Sequence, residues 1–81
     1  MNIQMTNNFM KEANELDLSQ TSDFAAIALK LSEIKDKDES ELKSYKVRDT
    51  LNDVYVIKHK SYRIFFTKND NGLIVLSITR F

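Results

Sequence analysis

The sequence predicts an α+β fold in which a helical hairpin packs on one face of a mostly antiparallel sheet. Three observations predict it. The stretch from Leu51 to Phe81 is dense in β-branched and aromatic residues and breaks into three apolar runs, Val54 to Ile57, Tyr62 to Phe66 and Leu73 to Ile78. That composition suits a pleated, half-buried surface. The first half carries two stretches with apolar residues at helical spacing, one around Phe9 and one around Ile27. Finally, 81 residues make a single domain, 1–81, which can bury one sheet under one helical layer and little more.

Each element has its own warrant. Ile3 and Met5 alternate with polar neighbours, so residues 1–5 read as a first strand. Thr6, Asn7 or Asn8 can cap a helix in which Phe9, Ala13 and Leu16 share a face, widened by Met10. Asp17-Leu18-Ser19-Gln20 is the expected connector. Thr21-Ser22-Asp23 then starts a second helix: a side-chain oxygen can bond an orphan N–H of the first turn, and Asp23 suits the positive end of the dipole. Phe24, Ile27, Ala28, Leu31 and Ile34 set its apolar stripe, over about 22–35. Such a stripe is core material, and two such helices on a short connector form an αα-hairpin.

Lys35-Asp36-Lys37-Asp38-Glu39-Ser40-Glu41 mixes charges without an apolar residue, as a solvated helix end or loop does. Its acids have neither the spacing nor the turn glycine of a calcium loop, so no metal site is expected there. Leu42, Tyr45 and Val47 lead into the sheet. Lys58-His59-Lys60-Ser61 and Asn69-Asp70-Asn71-Gly72 separate the three apolar runs, and the second holds the only glycine. Gly and Asn are expected to supply the positive φ angles of a tight turn, giving three antiparallel strands in a meander.

Composition narrows the chemistry. The chain has no cysteine, which excludes disulfides and thiolate metal sites, and its one histidine argues against a histidine zinc site. No metal or small-molecule cofactor is expected. The N-terminal residues lack the basic and apolar regions of a signal peptide, and no apolar run approaches the ~20 residues that span a bilayer. The expectation is a soluble cytoplasmic protein with no membrane partner. The net charge of zero hides an asymmetry: residues 1–50 hold seven Lys/Arg and ten Asp/Glu, whereas residues 51–81 hold five and two, plus the histidine. The sheet half is the basic half. A basic face attracts nucleic acid; the same cations also serve as ordinary solvated strand-edge residues that discourage edge pairing.

Arg63 is the oddest residue in the chain, a charge inside an apolar strand. It shares a face with Phe65 and Thr67 and alternates with Tyr62, Ile64 and Phe66. Isolated charge is costly to bury, so Arg63 either pairs with an acid, Asp53 or Asp70, or lies on a face open to water. On an open face its planar fork of donors is a ready phosphate ligand.

These features in this order resemble the RelE/ParE superfamily of bacterial toxins from toxin–antitoxin systems. The resemblance rests on an apolar start and two helices before Leu42-Lys43-Ser44-Tyr45, then Asp53-Val54-Tyr55-Val56-Ile57, a short basic turn, Tyr62-Arg63-Ile64-Phe65-Phe66, and the closing Ile74-Val75-Leu76-Ser77-Ile78. It implies a β-α-α-β-β-β arrangement. It also implies a RelE-like activity, ribosome-dependent cleavage of mRNA that inhibits translation, with a cognate antitoxin, the ribosome and mRNA as partners. Arg63 matches the family arginine that contacts the scissile phosphate. Lys58, His59 and Lys60 match the basic residues of the preceding strand and turn approximately. Arg80 matches the terminal basic motif approximately, since the family arginine often falls one residue later, where this chain has Phe81. Val56 stands where the family often has a basic residue.

The expected catalytic residues are therefore Arg63, His59 and Arg80, and the expected RNA-binding residues Lys58, Lys60 and Lys68. In such a reaction the RNA 2′-OH attacks the adjacent phosphorus. Arginines stabilise charge on the phosphoryl oxygens, and histidine is the side-chain type best suited to move protons near neutrality. Lys58 or Lys60 is the alternative acid–base group, and by base rates His59 reads first as a turn residue in solvent. The same superfamily contains ParE-like inhibitors of a protein target such as DNA gyrase, which are not enzymes. That activity and a degenerate, binding-only role are the alternatives, and fold alone does not separate them.

Overall fold

The computed structural model describes residues 2–18, 22–38, 41–47 and 53–80. In chain order these form β1 (Asn2–Met5), α1 (Asn7–Glu15), α2 (Ser22–Ile34), a short 3-10 helix (Lys43–Tyr45), β2 (Tyr55–His59), β3 (Tyr62–Asn69) and β4 (Gly72–Arg80). The sheet order is β1-β4-β3-β2. β2, β3 and β4 form the expected antiparallel meander, and β1 joins β4 in parallel. The α+β arrangement, β-α-α-β-β-β with both helices on one sheet face, is the one the sequence predicts.

Thr6 caps α1: its side chain accepts from the Phe9 N–H at 3.1 Å. Past the Leu16 C-cap of α1, Asp17 adopts a left-handed φ of 54° and donates its N–H to the Asn14 carbonyl. That reversal turns Leu18 into the core, where it is fully buried. Leu18 belongs to the expected connector Asp17-Leu18-Ser19-Gln20, and an apolar residue just past a left-handed helix end commonly packs back in this way. Thr21, the expected cap of α2, and Ser19 and Gln20 lie outside the described residues, as do Met1, Glu39, Ser40 and Phe81.

One core cluster joins the layers. Phe9 and Ala13 of α1, Ile27, Leu31 and Ile34 of α2, and Leu42 meet Tyr55, Ile57, Ile64, Phe66, Leu73, Val75 and Ile78 of the sheet. The Tyr55 and Phe66 rings stack with centroids 5.5 Å apart. Phe24, Tyr45 and Tyr62 pack at its margin.

The strands run past the apolar stretches that marked them, because cross-strand pairing continues through polar residues. Lys58 pairs with Arg63 and His59 with Tyr62, leaving only Lys60 and Ser61 as the turn. The positive φ there belongs to Lys60 (φ 54°), a strained setting for a side-chain-bearing residue. The second turn likewise shrinks to Asp70 and Asn71. Its asparagines do not take positive φ; instead Asn69 Oδ1 accepts from the N–H groups of Asn71 and Gly72 at 2.8 and 3.1 Å. Gly72 does take a positive φ (138°), and β1 runs directly against it: a Cβ there would lie 1.9 Å from the Asn2 carbonyl oxygen.

β4 carries a bulge. Phe65 pairs with Ser77 but Phe66 pairs with Val75, so Leu76 is the extra residue. β1 ends opposite Val75, and α1 covers the edge beyond it. Thr6 Oγ1 and Asn8 Nδ2 donate to the Leu76 carbonyl at 3.2 and 3.1 Å, and Glu12 Oε1 accepts from Ser77 Oγ at 2.7 Å and from the Ile78 N–H at 3.4 Å. Backbone groups that lost a strand partner are thus satisfied by side chains.

Candidate nucleic-acid interface

Strand alternation sorts the basic residues onto two sides. Tyr55, Ile57, Ile64 and Phe66 are buried under the helices, whereas Val56, Lys58, Arg63 and Phe65 point to the opposite face, which none of the described helices covers and which is called the open face below. On that face Lys58 and Arg63 are exposed and directly opposite in the β2–β3 register, with Thr79 of β4 opposite Arg63 on its other side. Directly paired residues hold their Cβ atoms about 4.5–5.5 Å apart, close enough for two cations to serve one phosphate or two neighbouring ones.

The acids that sequence proximity offered Arg63 lie elsewhere. Asp53 pairs with Lys46 at 2.9 Å, and its carbonyl accepts from Thr67 Oγ1, four residues along β3 from Arg63. Asp70 stands at the turn beyond the far end of β3, about 23 Å away at ~3.3 Å per residue.

His59 falls on the helix side. Its Nε2 lies 3.2 Å from Asp23 Oδ1, and Lys60 Nζ lies 2.9 Å from the same oxygen. Asp23 occupies the first turn of α2, where a carboxylate also meets the positive end of the helix dipole. The hydrogen bond from Lys60, then that from His59, holds the Asp23 carboxyl below the usual carboxylate range, and Asp23 in turn raises the Lys60 ammonium. Three charged or chargeable groups thereby clamp the β2–β3 hairpin to the start of α2.

Arg80 also faces the helix side. Its guanidinium carbon sits 6.0 Å from the Tyr62 ring centroid, a cation–π distance, and Tyr62 packs on the core. The bulge at Leu76 is the cause. It flips the alternation of β4, so that Leu73, Val75 and Ile78 all point inward and Arg80 follows Ile78. Lys68 is on the helix side as well, at the other end of β3, where its Nζ donates to the Lys37 carbonyl just past the end of α2. Of the six basic residues singled out, the structure brings Lys58 and Arg63 together on the open face, gathers His59 and Lys60 at Asp23, and leaves Arg80 and Lys68 apart from both groups.

The sequence reading did not bring in Asp23 as the partner of the hairpin, thirty-six residues away. Nor did it bring in the outer edge of β2. Lys30 of α2 donates to the Lys58 carbonyl there at 3.0 Å, and the 43–47 segment runs alongside: Lys46 bridges to Tyr55, and the Val47 N–H donates to the Val54 carbonyl at 2.8 Å. Among the described residues no group of three or more His, Asp or Glu side chains is placed to hold a metal ion, and no helix is long and apolar enough to cross a membrane.

Helical hairpin, mixed sheet order and an uncovered sheet face define a RelE-like fold. Among solved structures the chain is similar to one chain of the intact E. coli RelBE toxin–antitoxin complex, with a TM-score of 0.74 over 98% of this chain and 94% of that one, at 22% sequence identity. No family model and no curated protein matches the sequence.

Proposed function

We propose that this protein is the toxin of a toxin–antitoxin module, and that its uncovered sheet face, with Arg63 and Lys58, engages the phosphate backbone of mRNA on the ribosome. The observation that carries the reading is the Lys58–Arg63 pair, two exposed cations directly opposite on the open face of a RelE-like fold. Cleavage there is attack by a 2′ oxygen on the adjacent phosphorus. The P–O2′ bond forms, the P–O5′ bond breaks, the 2′ proton leaves and the 5′ oxygen gains one, giving a 2′,3′-cyclic phosphate and a 5′-hydroxyl. Arg63 stabilises the charge that grows on the phosphoryl oxygens, and Lys58 is the basic group beside it. The partner that holds the toxin is an acidic, apolar segment, complementary in charge to the basic sheet half.

A second reading has its own support. His59 and Arg80 face the helices, and that arrangement suits binding without cleavage, of RNA or of a protein target. Induced expression with translation and mRNA 5′ ends followed, beside an Arg63→Ala control, tests both. New 5′ ends that fall by about a hundredfold or more in Arg63→Ala support the nuclease, since one oxyanion-type donor is worth about that much. Growth arrest without new 5′ ends supports the binder. Continued growth and translation at full toxin level overturns the toxin assignment.

A further inference from the structure

A cleft lies on the outer edge of β2, beside the Lys58–Arg63 pair. It has a volume of about 330 Å³ and is lined by Ser44, Tyr45, Lys46, Val56, Ile57 and Lys58. It is continuous with the open sheet face, because Val56 and Lys58 belong to that face. Lys30 and Glu33 of α2 line a second hollow on the helix side, which shares Tyr45, Ile57 and Lys58 with the first. Tyr45 therefore stands between the two hollows. Its backbone is held in place: the Tyr45 N–H donates to the Leu42 carbonyl at 2.9 Å, and the next residue bridges to Tyr55.

The chemistry of the lining is specific. An aromatic ring with Val56 and Ile57 beside it suits a flat, apolar-faced group, and Ser44 offers a hydroxyl for polar edges. Two cations stand at the rim, Lys58 toward Arg63 and Lys46 in an exposed pair with Asp53. A flat ring with polar edges, attached to an anion, is a nucleotide. Single-stranded RNA is bound in this manner, with cations along the backbone and bases stacked on aromatic side chains. The volume lies at the small end of ligand pockets, which limits the occupant to about one base.

We propose that this cleft is a nucleotide subsite: one base of the bound RNA strand stacks on Tyr45 while its phosphate lies against Lys58 and Arg63. The proposal rests on the RNA-binding reading above and extends it around the β2 edge.

The test uses the full chain and a fluorescein-labelled single-stranded oligoribonucleotide followed by anisotropy. Tyr45→Phe binds as the wild type does, because the ring remains. Tyr45→Leu, which keeps apolar bulk at this half-buried position, weakens binding about 5- to 150-fold, the range for losing one base–aromatic stack. Its salt dependence keeps the wild-type slope, whereas Lys58→Ala makes the slope shallower by ~0.7, the single-strand value for one phosphate contact. Because a Tyr45 variant could lose its fold, the wild-type protein supplies an independent measurement. A 5-iodouridine oligonucleotide irradiated in the complex crosslinks to the peptide containing Tyr45. Binding by Tyr45→Leu at wild-type strength, or crosslinks that avoid Tyr45 while Arg63→Ala still weakens binding, overturns the subsite and leaves the RNA reading standing. Failure of the wild type to bind RNA overturns both.

Discussion

Gly72→Ala is expected to detach β1 from the sheet. Gly72 opens β4 at a φ of 138°, and its Cα faces the backbone of Asn2. An added Cβ would lie 1.9, 2.7 and 2.8 Å from the Asn2 carbonyl oxygen, nitrogen and carbonyl carbon, where real Cβ atoms keep at least 3.0 Å. All three atoms are backbone, so no rotamer change relieves the clash and β1 must retreat by about 1 Å. That stretches the 2.9 Å hydrogen bond from the Asn2 N–H to the Asn71 carbonyl beyond bonding range. The φ alone costs about 1–3 kcal/mol for a residue with a side chain. The lost hydrogen bond adds about 0.5–1.5 kcal/mol. The expected total is about 1.5–4.5 kcal/mol, a large share of what a domain of this size has. The assay is chemical denaturation together with amide hydrogen exchange. The midpoint should fall, and protection should be lost first at the β1–β4 pairs while the β2–β3 pairs keep theirs. A loss of stability under about 0.5 kcal/mol, with β1 amides still protected, would refute the close-approach argument.

Leu31→Ala should cost about 2–5 kcal/mol in the same denaturation assay, since Leu31 is fully buried where α2 meets the sheet; an unchanged midpoint would mean that α2 does not pack there. The Asp23 clamp should give stability a pH signature. Asp23 is depressed by Lys60 and then His59, so its contribution is present above about pH 4 and is lost as pH falls through the lowered native value. Lys60 is raised by Asp23, so its contribution is present below about pH 10 and is lost as pH rises through the raised native value. Asp23→Asn should flatten both limbs of the unfolding midpoint against pH, and limbs as steep as the wild type's would show that the clamp is energetically silent. If mRNA cleavage is measured, His59→Gln should stay within a few-fold of wild type, because His59 is turned to α2; a loss of a hundredfold or more, the scale of a general acid or base, would place it in the reaction after all.

The elements were legible because each carries a local signal: the Thr6 cap, the stripe of Ile27, Leu31 and Ile34, and the dense β-formers of the last third. Their packing was legible too, since a chain of this length has one sheet face to cover. The geometry of the candidate site was legible in part. Lys58 and Arg63 fall opposite each other as a consequence of a two-residue turn at Lys60 and Ser61. Arg80 could not be placed, because the run from Leu73 to Ile78 is nearly all apolar and does not show where its alternation breaks. The bulge at Leu76 decides the matter, and it depends on α1 reaching the β4 edge through Thr6, Asn8 and Glu12. His59 and Lys60 looked like free turn cations because their partner, Asp23, already explained itself as a helix-start residue. Leu18 was hidden among polar neighbours, its burial set by the left-handed φ at Asp17.

The parallel pairing of β1 with β4 also has a consequence for synthesis. β1 waits for a strand made much later, as the separation of 70 positions between Thr6 and Leu76 measures. During translation the helical hairpin emerges before β2, β3 and β4, with Phe9, Ile27 and Leu31 lacking the surface that covers them. The helices themselves can form early, but the long-range closure that completes the sheet waits for β4 to leave the ribosome. A nascent chain stalled before Gly72 therefore carries an apolar stripe and an unpaired first strand, the features that recruit chaperones or seed aggregation. Lys58 and Arg63 reach their places on a rigid face only when β4 arrives, so the pair is set by a strand made after both of its residues.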